Sequence, residues 1–209
     1  MATQSHSGKA WKILAVMILG FIAVVGISYG SLLREMDRAD QEFQQGDPET
    51  ALQQYGSVER SLRSVGVLRY IPATDRQNLF LNQARLLYGL KRYDEAAECL
   101  DQESEIAGAF MDGRFLVVRS EIAFRKAIDT FLSAEKKDPQ VLDETLLGIE
   151  DSLREALRLS PDDWEAKFNL EFINYLREEM FEKGDEGKLE ILEKMQMQEK
   201  PVLRPEQQG

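Results

Sequence analysis

The sequence predicts an all-α protein in which a single N-terminal transmembrane helix precedes a degenerate array of antiparallel helix pairs. Three observations carry this reading. Residues Ile13 to Leu33 run for 21 positions without a charge. Beyond them apolar residues recur at intervals of three and four, the spacing of one helix face. Runs of β-branched or aromatic residues with period two are missing.

The first element is the apolar run, which reaches roughly 31 Å at about 1.5 Å of rise per residue and so matches a bilayer's hydrocarbon core. Lys9 and Lys12 precede it with no acid before them, whereas Arg34, Glu35, Asp37 and Arg38 follow as a mixed cluster. The positive-inside bias puts residues 1–12 in the cytoplasm, 13–33 in the membrane and the remainder outside. A cleaved signal peptide is the competing reading, because Ser28-Tyr29-Gly30 offers small residues to a peptidase. Against it, the run exceeds the usual h-region, and helical patterning continues from Leu32 and Leu33 into Ala39 and Phe43. Gly26 and Gly30, four apart, are the candidate face for close packing of two transmembrane helices.

The first helix is expected to stop near Gln45 at Gly46-Asp47-Pro48, where glycine closes one helix, Asp47 caps the next and Pro48 takes its first turn. A second helix, about Pro48 to Arg63, carries the stripe Ala51, Leu52, Tyr55, Val58 and Leu62. Residues Ser64 to Thr74 break the pattern with Gly66 and Pro72 and form a structured connection. A third helix begins near Asp75 with Leu79, Leu81, Ala84, Leu87 and Tyr88. After the turn Leu90-Lys91-Arg92 a fourth begins near Tyr93 with Ala96, Ala97 and Leu100. A loop with Gly108 and Gly113 leads to a long helix from about Phe115 to Lys136. The last pair is expected at about Val141 to Leu159 and Asp163 to Glu182, with Asp162 or Asp163 as cap. Residues 34–182 thus form the helical domain. Residues 183–209 are expected to be a flexible acidic tail with a loosely held helix around Leu189 to Met197.

Composition narrows the function. Residues 34–209 carry 24 basic and 37 acidic groups, which disfavours nucleic acid and anionic membrane surfaces as partners. Cys99 is the only cysteine and His6 the only histidine, so no intrachain disulfide is possible. The exported part lacks the histidine that serine or cysteine nucleophiles and ordinary zinc sites use. The acidic doublets Asp162-Asp163, Glu178-Glu179 and Asp185-Glu186 do not match a calcium loop, and no phosphate-binding glycine motif occurs. No catalytic residue, cofactor or metal site is expected.

The helix pairs share a frame. An alanine falls five residues after each turn begins, Gly46 with Ala51 and Lys91 with Ala96, and a large residue comes four further on, Tyr55 and Leu100. Ile149, Leu153, Ala156, Leu157 and Leu159 continue to Pro161. This resembles the tetratricopeptide repeat, with copies separated by insertions. A sharper likeness lies in LREALRLSPDDWEAKFNLE, residues 153 to 171. It resembles the closing pair of MxaK-like proteins, bacterial membrane-anchored repeat proteins encoded beside MoxR-type AAA+ ATPases and von Willebrand A domain proteins, where Asp163 to Glu171 matches D-W-[ED]-A-[KR]-[FY]-N-L-E. The resemblance implies a non-enzymatic adaptor in the bacterial inner membrane with a periplasmic domain, assisting maturation of an envelope complex. Its implied partners are von Willebrand A domain proteins, AAA+ proteins or a periplasmic oxidoreductase.

Within that motif Trp164, Phe168, Asn169 and Glu171 are the candidate partner-binding or array-capping residues. Trp164 is expected to pack back on Leu157 and Leu159, with Asn169 and Glu171 on the more polar side. Phe168, Leu170, Phe172 and Ile173 are expected to fill the last groove. The domain's acidity fits a partner with a basic patch. A second class of function is a structural subunit recognised through its transmembrane helix, and a third is an enzyme using carboxylates alone.

Overall fold

The computed structural model describes residues 6–107, 112–136 and 138–182, which form seven α-helices and one 3-10 turn with no strand among them. The helix and tail expected after residue 182, and Gly108, lie outside the described residues. The chain divides into two compact units, the boundary falling between Ser61 and Leu62.

The first unit holds α1 (His6–Gln44) and most of α2 (Pro48–Ser64). From Leu14 onward α1 is long and apolar enough to cross a membrane. Its large apolar side chains there, among them Val16, Leu19, Val24 and Ile27, are exposed. The helix does not break where the apolar run ends. Burial begins instead at Leu32, Met36 and Ala39, spaced four and three, so one stripe turns inward as charged residues take the other faces. In α2 the buried positions are Ala51, Tyr55, Val58 and Leu62, and the Tyr55 hydroxyl donates to the Asp40 carboxylate of α1. Asp47 accepts from the Thr50 amide at 3.0 Å, capping α2 as its sequence indicates.

The second unit holds the 3-10 turn (Leu68–Tyr70) inside the Ser64–Thr74 connection, then α3 (Ala73–Gly89), α4 (Tyr93–Ala107), α5 (Gly113–Ser133), α6 (Pro139–Leu159) and α7 (Trp164–Glu182). Neighbours in sequence pack together, α3 on α4, α4 on α5, α5 on α6 and α6 on α7. The odd helices also touch in series, α3 with α5 and α5 with α7.

Three helix ends share one device. At Gly46, Gly66 and Lys91 the backbone turns left-handed, with φ of 89°, 68° and 61°. In each, the next residue's amide reaches back over the last turn, as Arg92 does to the Leu87 carbonyl at 2.9 Å. Glycine makes this conformation without strain at two of the three sites. Lys91 adopts it with a Cβ.

Two boundaries differ from expectation for physical reasons. Helix α5 ends at Ser133 rather than Lys136, because Asp138 accepts from the Gln140 amide at 3.0 Å and Pro139 opens α6. It begins at Gly113 rather than after it: Asp112 accepts from the Arg114 amide at 2.9 Å. A Cβ on Gly113 would stand 3.1 Å from the Ala156 carbonyl oxygen, so this glycine lets α5 press against α6.

The core of the second unit centres on α5, α6 and α7. Phe124, Ile128 and Phe131 meet Leu142, Leu146, Ile149 and Leu153 of α6 and Ile173 and Leu176 of α7. Beside it Val117, Ala156 and Ala166, all fully buried, form a three-helix junction built of small side chains. In α3 burial runs without a break from Arg76 to Ala84, polar residues included. Arg76 answers Glu103 of α4 at 3.1 Å, and Asn78 accepts from Arg114 of α5 at 2.9 Å. Cys99 is a buried free thiol lying 3.4 Å from the Phe80 carbonyl.

Candidate functional site

Helix α7 carries the four residues singled out from the sequence, and its register decides what each does. Asp163 accepts from the Ala166 amide at 3.0 Å and starts the helix after the Pro161 turn. At 3.6 residues per turn, Trp164, Phe168, Glu171 and Tyr175 fall on one stripe. All four are exposed, Trp164 by 74%, Phe168 by 56% and Tyr175 by 58%. The Trp164 and Phe168 rings lie 6.5 Å apart and tilted by 34°. Trp164 therefore does not sit as a plug on Leu157 and Leu159, and Phe168 does not fill a groove among the described residues.

Asn169 faces elsewhere. Its side-chain amide donates to Glu121 of α5 at 2.8 Å, so it joins a polar layer between the odd helices rather than the aromatic stripe. On the same flank Phe172 meets Phe124 edge-on at 5.7 Å, and Glu165 accepts from Arg85 of α3 at 2.7 Å. On the opposite flank Arg177 donates to Asp143 at 2.8 Å and to Glu150 at 2.7 Å, both on α6. Leu170, Phe172 and Ile173 pack into the core as expected of them.

Glu121 is the most perturbed group in this layer. Burial first, and then the nearby Glu165 carboxylate, push its pKa up to about 7. The Asn169 hydrogen bond, Arg85 and Arg125 oppose the rise. Burial likewise pushes the Tyr88 hydroxyl up, although Arg125 donates to it at 3.1 Å. The layer can hold or release a proton near neutrality. Among the described residues no three of His, Cys, Asp and Glu gather as a set that could hold a metal.

A second surface was not legible in the sequence. An open groove of about 580 Å³ runs between α4, α5 and α6. Its floor is made of small and apolar side chains, chiefly Ala97, Ala123, Ala127 and Phe131, with the exposed Val141 at one wall. Arg119 and Lys126 stand on its rim, bridged to Asp101 at 2.6 Å and to Asp94 at 2.5 Å. An alanine floor admits another backbone closely, and the rim pairs are exposed enough to exchange partners. The spacing of Ala97 in the fourth helix, and of Ala123 and Ala127 in the long fifth one, already marks them as inward-facing. What could not be read is that α4 and α6 stand apart over them.

On α1, a Cβ placed at Gly26 or Gly30 would meet nothing within 4 Å. Among the described residues no element of the chain meets that face.

Comparison with protein-family models finds no match to this chain, and a search of the curated proteins finds none similar to it.

Proposed function

We propose that this chain is a non-enzymatic, membrane-anchored adaptor whose helical domain holds partner proteins through the α4–α5–α6 groove. The groove is the observation that carries the reading. It is a preformed apolar trough of a size that takes one helix or strand of a partner, on a domain whose exposed charge is largely acidic. A partner segment with an apolar side and flanking Lys or Arg fits it. The apolar side enters over Ala123 and Ala127, while the basic flanks compete with Arg119 and Lys126 for Asp101 and Asp94.

The tetratricopeptide-like reading draws support from the serial contacts of the odd helices and from alanines at helix junctions. The anchor reading draws support from the uninterrupted α1. With residues 1–12 cytoplasmic and the domain periplasmic in a bacterial inner membrane, the client would be an envelope complex undergoing assembly or maturation. The MxaK-like resemblance points to von Willebrand A domain, AAA+ or oxidoreductase partners.

The test places a photo-reactive residue at Thr145, on the groove wall, and another at Ser57 on α2, in the full chain expressed in its native host. Crosslinks from Thr145 alone, lost when Val141→Glu is added and weakened by salt, are the expected result. Equal crosslinking from both sites would overturn the groove as the binding surface. The runner-up is a structural subunit recognised through Gly26 and Gly30. Exchanging residues 13–33 for an unrelated anchor separates the two, since the adaptor keeps its partners and the subunit loses them.

A further inference from the structure

The turn between α2 and α3 holds three apolar side chains out in solvent. Helix α2 ends in a left-handed glycine, Gly66, with the Val67 amide bonded back to the Leu62 carbonyl at 3.1 Å and the Tyr70 amide to the Val67 carbonyl at 2.8 Å. In such an end the residue after the glycine frequently packs back on the helix. Here Leu68 is the buried residue of the turn. Val65, Val67 and Tyr70 are exposed, Val65 by 68% and Tyr70 by 78%. The backbone bonds hold them as a shaped tip.

The charge of this stretch is opposite to that of the chain. Residues 60–74 hold three arginines and no acid, whereas residues 34–209 carry 24 basic and 37 acidic groups. Arg60, Arg63 and Arg69 are all exposed. Arg60 donates to the Gly56 carbonyl at 3.1 Å and Arg63 to the Gln102 side-chain oxygen at 2.8 Å, and neither of these acceptors carries a charge. The repulsion from anionic lipid expected of the chain's average is therefore reversed here.

Position along the chain supplies a third observation. The short link of residues 45–47 reverses direction between α1 and α2, and Tyr55 meets Asp40 across the pair. Six residues further along α2, Ser61 has come back about 9 Å, as far as α1 rises from Arg34 to Asp40. Ser61 thus returns to the level of Arg34, where the uncharged run of α1 has just ended. Val65 follows four residues later.

We propose that this tip, Val65, Val67 and Tyr70 with Arg63 and Arg69 beside them, docks on the bilayer that holds α1, its apolar side chains entering between anionic headgroups. The proposal rests on the reading of α1 as a membrane anchor. Tyrosine suits that depth, with its ring toward the acyl chains and its hydroxyl among the headgroups. The arginines reach lipid phosphate while their stems lie along apolar surface. A protein with an acidic, apolar patch would suit the same chemistry, but the bilayer is the surface to whose level α2 already returns.

The test reconstitutes the full chain, in a Cys99→Ala background, into vesicles of phosphatidylcholine alone or with about one-third phosphatidylglycerol. Val67→Cys, Gln53→Cys or Ile18→Cys carries an environment-sensitive fluorophore. Ile18 reports the anchor itself, and Gln53 lies on α2 before Tyr55, further from the lipid. In the anionic vesicles, spin-labelled lipid should quench the Val67 probe about twofold more than the Gln53 probe. Adding Val65→Asp/Tyr70→Asp should bring the two probes to one value, and Arg60→Gln/Arg69→Gln should remove the gain given by anionic lipid. Equal quenching at Val67 and Gln53, with Ile18 still quenched, overturns the docking and leaves the anchor standing. An Ile18 probe that lipid does not quench overturns the anchor reading and the docking with it. A Val67 probe shielded from aqueous iodide yet untouched by the lipid quencher assigns the tip to a second copy and also overturns the proposal.

Discussion

Glu121→Gln isolates the proton held between the odd helices. In the folded chain burial pushes the Glu121 carboxyl up to about 7, from an ordinary value of 4.5. Between those values the folded chain binds a proton that the unfolded chain does not. The stabilising contribution is therefore complete below about pH 4.5 and is lost as pH rises through 7. At about 1.4 kcal/mol per pH unit the ceiling is about 3 kcal/mol. Glu121 keeps part of its surface in contact with solvent, and the screening this allows reduces the expected loss to about 1–2 kcal/mol. Glutamine keeps the oxygen that accepts from Asn169 and cannot ionise. Urea unfolding followed by helix circular dichroism at pH 5 and pH 8 gives the assay. The substituted chain should gain on the native one by about 1–2 kcal/mol between the two pH values, because every other carboxylate cancels in the difference. A difference that does not move with pH, or moves the other way, would refute the assignment of the proton to Glu121.

Gly113→Val should cost about 1–3 kcal/mol in the same unfolding assay, since its side chain must displace the α6 backbone at Ala156; an unchanged midpoint would show that the two helices part freely. Lys91→Gly should stabilise by about 0.5–1 kcal/mol, relief of the left-handed strain at φ 61° outweighing the greater freedom of glycine when unfolded. Arg177→Met removes both ties to α6 and leaves the buried Glu150 with the exposed Arg154 alone. A loss of about 2 kcal/mol is expected, read as a lower thermal midpoint with earlier amide exchange in α7.

Helix α6 was the most legible element, because Leu142, Leu146, Ile149, Leu153 and Ala156 form one buried stripe against an exposed polar face. Helix α3 was the least. It is buried from Arg76 to Ala84, so Gln77, Asn78, Asn82 and Gln83 read as a solvent face although they are internal. A sequence pattern reports one buried face, and a helix covered on several sides has more. In α7 the same limit split the candidate residues. Trp164, Phe168 and Glu171 share the open stripe, Asn169 turns inward to a carboxylate far away in sequence, and Tyr175 completes the stripe unnoticed. Gly113 read as a loop residue because glycine breaks helices more often than it seats them. The groove depends on the gap between α4 and α6, which no single segment encodes.

The continuity of α1 has a mechanical consequence. With residues 13–33 in a bilayer, the unbroken helix to Gln44 stands as a stalk about 16 Å tall, without a glycine or proline hinge between Ser31 and Gln44. A flexible leash would let α2 wander over a wide hemisphere and approach the surface from any side. A stiff stalk fixes its height and ties its heading to the rotation of the membrane helix. On the proposed adaptor function, a client anchored in the same bilayer would then be met in a thin layer at one level, where confinement raises its effective concentration without any added contact.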